Sequence, residues 1–123
     1  MRSRYKIVLE GGLYFVTSTI VEWIPVFSSE PYFQIMIEAF KYAQKNKALR
    51  LYAYVVMENH FHLLVIGPTL SNTLQSLKSF TSKQIIEQLR MDGKEWALNQ
   101  MHFYKKDYKH ESTFQLWQEG FHP

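Results

Sequence analysis

Two short apolar runs, set almost end to end, constrain this chain most. Residues 51–57 (Leu-Tyr-Ala-Tyr-Val-Val-Met) and 61–66 (Phe-His-Leu-Leu-Val-Ile) are too short for ordinary helices, and the polar Glu58-Asn59 turn signal stands between them. Runs joined so tightly pair as an antiparallel β-hairpin. Upstream, the Gly11-Gly12 turn signal precedes residues 13–21, which are dense in β-branched and aromatic side chains and read as a first core strand. Ser28 or Ser29 can cap a helix that carries Pro31 in its first turn. Phe33, Met36, Ile37, Phe40 and Ala43 then recur at helical spacing, to about Asn46.

After the hairpin, Gly67-Pro68 ends the strand and Ser71 offers a cap. Leu74, Leu77, Ile85 and Leu89 give a second helix an apolar stripe through to about Arg90. Asp92-Gly93 breaks it, residues 95–101 suit one or two further helical turns, and residues 114–117 read as a last short strand. The resulting β-α-β-β-α-β order predicts an α+β fold of the ferredoxin-like, split βαβ kind, an antiparallel sheet with two helices on one face. With 123 residues and a hydrophobic fraction of 46%, the chain can bury one core and not two, so residues 1–123 are expected to form a single domain.

Composition narrows the chemistry. There is no cysteine, which excludes disulfides and thiolate metal sites and suits a cytoplasmic protein. None of the apolar runs approaches the roughly 18 residues of a membrane span. A net charge of +3, from 14 basic and 11 acidic residues, is compatible with a polyanionic partner without specifying one.

The sharpest chemical feature is His60-Phe61-His62. On a strand, residues two apart share a face, so both imidazoles emerge together while Phe61 and Leu63 turn the other way. Two nitrogen donors placed side by side can hold a divalent ion, and such an ion polarises a phosphoryl oxygen under attack. A His-x-His pair also occurs without function, one ring hydrogen-bonded at a sheet edge and the other solvated. The flanking pattern decides between the two.

That pattern, Met57-Glu58-Asn59-His60-Phe61-His62-Leu63-Leu64-Val65, resembles the Met-Pro-Asn-His-hydrophobic-His-Leu-Leu signature of the single-tyrosine HUH transposases, in the REP-associated, IS200-like branch. Tyr14-Phe15-Val16-Thr17 with Pro25-Val26-Phe27, residues 77–82, and residues 116–121 resemble further family segments in the same order. The resemblance implies a nuclease and strand transferase acting on single-stranded or hairpin DNA. A tyrosine hydroxyl would attack the scissile phosphate, leaving a 5′-phosphotyrosine and a free 3′-hydroxyl, with magnesium or manganese at His60 and His62 as the only cofactor. Glu58 replaces the family's usual proline, and its carboxylate is either a spare ligand or a solvated turn residue. The family's catalytic tyrosine, and its usual third ligand, belong to a helix after the last strand, so the nucleophile is expected beyond Pro123. Tyr104 and Tyr108, in a lysine-rich stretch, are the alternatives within the chain.

For DNA contacts, Lys78, Ser79, Thr81, Ser82 and Lys83 crowd one stretch of the second helix with charge and hydroxyl donors suited to phosphate oxygens. Lys105, Lys106 and Lys109 form a second basic group. Trp117 and Phe121 could stack on bases, although Trp117 suits the core better. Two other functions stay open beside the transposase: a non-catalytic DNA-hairpin binding module descended from one, and a metal-dependent hydrolase using water. The oligomeric state is open as well, with a homodimer as one option.

Overall fold

The computed structural model describes residues 11–105 and 114–120. Strand β1 (Tyr14–Thr19) leads through a 3₁₀ turn (Val21–Trp23) into helix α1 (Glu30–Asn46). The hairpin strands β2 (Arg50–Met57) and β3 (His60–Ile66) follow, then helices α2 (Leu70–Met91) and α3 (Glu95–Phe103). The sheet order is β1-β3-β2, with both pairings antiparallel, so β3 lies in the middle. This is the predicted split βαβ arrangement, with the hairpin's second strand inserted between β1 and β2.

The period-two alternation of β3 divides the molecule. Phe61, Leu63 and Val65 are fully buried on one face, whereas His60, His62, Leu64 and Ile66 lie half-buried on the other. Burying each of those apolar side chains stabilises the fold by roughly 1.5–3 kcal/mol, which fixes the register, since a one-residue slip would turn all of them outward. Helix α1 meets the buried face with Tyr32, Met36, Ala39, Phe40 and Ala43. Phe33 and Ile37, expected in its core stripe, are only partly buried at its edges. The Phe61 ring meets Phe40 and Trp117 edge-on, with centroids 5.9 and 5.1 Å apart, a geometry that adds to simple burial.

Three expectations change in detail. Helix α1 does start after Ser29, but the Ser29 side chain makes no capping bond, and α2 starts at Leu70 after Thr69, not after Ser71. The predicted last strand is only a bridge between Trp117 and Ile20. Val21 N–H donates to Leu116 O and Gln118 N–H to Thr19 O, both at 2.8 Å. Past Val21 the partner chain enters a left-handed turn at Glu22 and leaves the sheet, so no longer ladder can form. Among the described residues, no helix is long and apolar enough to cross a membrane.

The first turn of α1 is tied to the end of α2 by Tyr32, whose hydroxyl donates to Asp92 Oδ2 at 2.6 Å. Burial, and then the neighbouring carboxylate, raise the phenol's pKa well above its ordinary value. Because the folded state opposes ionisation, this contribution is complete below about pH 10, where the unfolded phenol titrates, and is lost as pH rises toward the folded value. Tyr32→Phe should therefore cost about 1 kcal/mol at neutral pH. It should also flatten the alkaline limb of the stability curve, as urea unfolding at pH 7 and pH 10.5 will show.

Candidate metal and DNA site

His60 and His62 stand on the sheet face that the helices leave open. Their Nε2 atoms are 3.1 Å apart and the rings meet edge-on at 78°. Each ring is oriented from behind. His60 Nδ1 lies 2.7 Å from Asn59 Oδ1, and His62 Nδ1 lies 2.8 Å from Thr17 Oγ1 on the neighbouring strand. The register makes the second contact unavoidable, because Thr17 is the cross-strand partner of His62. Phe15, two residues earlier on the same face of β1, stacks on the His62 ring at 5.2 Å and 17°.

The Asn59 amide settles one tautomer. Its Nδ2 donates to Trp23 O at 3.3 Å, so Oδ1 faces the imidazole and must accept, which places a proton on His60 Nδ1 and a lone pair on its Nε2. Thr17 is adaptable, since its hydroxyl can donate to or accept from His62 Nδ1. With Thr17 donating, His62 Nε2–H points at the His60 lone pair; with Thr17 accepting, both Nε2 lone pairs face the same point. The second state is what a cation requires, and an oxygen partner behind each ring is the usual support of metal-bound histidine. Burial, and then the proximity of His62, lower the pKa of His60, which keeps its ring neutral.

The donor set fits a divalent ion in part. Adjacent positions of an octahedron with bonds of about 2.1 Å lie about 3.0 Å apart, close to the observed separation. Among the described residues, however, no group of three or more His, Asp or Glu side chains comes together to hold a metal. Glu58 is exposed in the hairpin turn and behaves as a solvated residue. The turn itself is held firmly: Asn59 O accepts from Ile20 N–H and Glu58 O from Phe27 N–H, both at 2.9 Å.

The α2 residues separate into two groups. Thr81 is fully buried, donates to Leu77 O at 2.8 Å, and accepts from the Trp117 indole at 3.1 Å. Lys78 Nζ donates to Gln118 O at 3.0 Å and Gly120 O at 2.8 Å. Both fasten the segment around Trp117 to α2; Thr81, expected to reach DNA, is thereby removed from the surface, whereas Lys78 stays half-buried. The apolar stripe held the clue, because Thr81 occupies the gap in it between Leu77 and Ile85. Ser79 and Lys83 are exposed, but on the helical side of the sheet, away from the histidines. Trp117 is core, as expected. Tyr104 is exposed after α3, Lys105 is half-buried, and Lys106, Tyr108, Lys109 and Phe121 lie outside the described residues. Thr17 and Asn59 were not singled out from sequence, although strand parity places Thr17 on the histidine face once the register is known.

Residues 17–121 match the family described as "Transposase IS200 like". The chain belongs to this IS200-like transposase family. The match takes in the second half of β1, the hairpin, all three helices and the segment around Trp117. Two solved structures show the same fold. One is a REP-associated tyrosine transposase bound to a REP hairpin, with 17% identity, a TM-score of 0.55, and coverage of 94% of this chain and 56% of that one. The other is a transposase-like protein of Deinococcus radiodurans R1, with 16% identity, a TM-score of 0.58, and coverage of 94% and 79%. This IS200-like chain thus spans little more than half the length of the hairpin-bound relative. No curated protein matches it.

Proposed function

We propose that this chain is the DNA-handling domain of a transposase that binds single-stranded or hairpin DNA and cuts and rejoins it with a tyrosine nucleophile. The observation that carries the reading is the arrangement of His60 and His62, whose Nε2 atoms converge within 3.1 Å while Asn59 and Thr17 occupy the opposite ring nitrogens. A pair built to share one ion on an open sheet face suits a phosphate that must be held while it reacts. The ion, magnesium or manganese, supplies Lewis acidity when bound, drawing charge from the phosphoryl oxygens. The chain's own residues hold that position: Asn59 fixes the His60 tautomer, Thr17 adjusts to that of His62, and Phe15 limits rotation of the His62 ring.

The tyrosine belongs to further sequence beyond these 123 residues, carried by the same chain or by the partner of a homodimer. Ser79 and Lys83 remain candidates for contacts to the DNA backbone away from the cut. A cytoplasmic location accords with this reading and with the lack of cysteine.

The ring partners give a direct test. Thr17→Val and Asn59→Ala should each weaken manganese binding by about 10- to 100-fold, measured by isothermal titration, with little loss of helical signal. Thr17→Ser, which keeps the hydroxyl, should bind nearly as the parent chain does. Unchanged affinity in both T17V and N59A would place the ion elsewhere.

A further inference from the structure

The chain leaves the sheet after Ile20 through two successive residues in the left-handed region, Glu22 at φ 52° and Trp23 at φ 54°. Glycine, asparagine and aspartate enter that region most readily, whereas a bulky side chain is crowded there. Burial of Val21 and Ile24 explains why the chain turns at this point. It does not explain an indole at position 23, whose surface is 62% exposed and which adds little to the core.

The turn is nevertheless fixed. Trp23 N–H donates to Ile20 O at 3.0 Å, and Trp23 O accepts from Asn59 Nδ2 at 3.3 Å. The other end of the same amide holds His60 Nδ1 at 2.7 Å. One side chain thus joins the backbone of Trp23 to the histidine pair, which puts position 23 beside that site. A flat ring with few rotamers, exposed on a turn that needs no rearrangement, has what base stacking requires.

The geometry points to Trp23 as a base-stacking residue that takes an unpaired nucleobase next to the phosphate held at His60 and His62. The inference rests on the DNA reading proposed above. An unpaired base is the fitting occupant because in a duplex both faces of each base are already stacked on neighbours. Trp23 then contributes affinity for single strands and places the reacting phosphate, with no part in the chemistry itself.

The test uses the full chain, a 12-nucleotide oligothymidylate and a blunt duplex, with Trp96→Phe as background so that Trp23 is the exposed indole and the buried Trp117 a constant signal. Oligothymidylate should quench the Trp23 emission. Trp23→Gly should weaken oligothymidylate binding by roughly tenfold, Trp23→Phe by about threefold or less, and neither should change duplex binding. Glycine accepts the left-handed backbone, so Trp23→Gly should melt no lower than the parent chain. Three results would each overturn the inference: undiminished oligothymidylate binding by W23G, equal losses for oligothymidylate and duplex, or binding without quenching. If the parent chain binds neither oligothymidylate nor a DNA hairpin with a single-stranded arm, the DNA reading falls and this inference with it; binding of the hairpin alone would remove only the role of Trp23. Normal binding by W23G in a chain that does bind would remove only the role of Trp23.

Discussion

Replacing His60 and His62 together by alanine is expected to abolish manganese binding and leave a folded protein. Both rings sit on the open face of β3, while Phe61, Leu63 and Val65, which carry the core, point the other way. Losing the Thr17 contact and the Phe15 stack should cost about 1 kcal/mol each, too little to unfold a domain of ordinary stability. The loss in metal affinity should be complete, because among the described residues the groups bonded to the pair, Thr17 and Asn59, offer only neutral oxygens that cannot hold the ion unaided. Electron paramagnetic resonance of free manganese and far-ultraviolet circular dichroism on the same sample measure both halves. Unaltered manganese binding would separate the histidines from the metal. Collapse of the dichroism signal would show instead that the pair serves the fold, and would favour a DNA-binding module without metal chemistry.

The hairpin, both long helices and the shared face of the histidines were legible in the sequence because each follows from a period: two for the strands, between three and four for the helices. What escaped depends on register and approach. Thr17 reaches His62 only because β1 pairs with β3 in one register, and nothing local to Thr17 announces that. Lys78 and Thr81 have the composition of a phosphate-binding face, yet the return of the chain at Trp117, Gln118 and Gly120 engages both. Position 81 could have been assigned to the stripe by spacing alone; Lys78 could not, since its partners are backbone carbonyls about 40 residues away in sequence. The fourth strand shortened because the left-handed turn at Glu22 and Trp23 removes its partner, a conformation that neither residue type suggests.

The placement of the tyrosines carries the last expectation. A phosphotyrosine forms only if a hydroxyl stands in line behind the phosphorus at near-attack distance, here on the open face beside His60 and His62. Tyr32 is buried against Asp92, and Tyr42 lies on α1, behind the sheet. Tyr14 shares the parity of the buried Val16, and Tyr54 packs against Phe40 on the helical side. Tyr52 sits at the β2 bulge, away from Val55 and Met57, which pair with the histidines, and Tyr104 follows α3. Tyr14, Tyr32, Tyr42 and Tyr54 are thus off the histidine face and Tyr52 is set back along the strand from the pair, whereas Tyr5 and Tyr108 are outside the described residues. The 123-residue chain, given manganese and a hairpin with a single-stranded arm, should therefore bind the DNA without leaving a covalent adduct on a denaturing gel. An extended chain that adds a tyrosine-bearing helix should form one, and H60A/H62A in that longer chain should lose it. An adduct on the 123-residue chain, mapped by mass spectrometry to Tyr104 or Tyr108, would locate the nucleophile within this sequence.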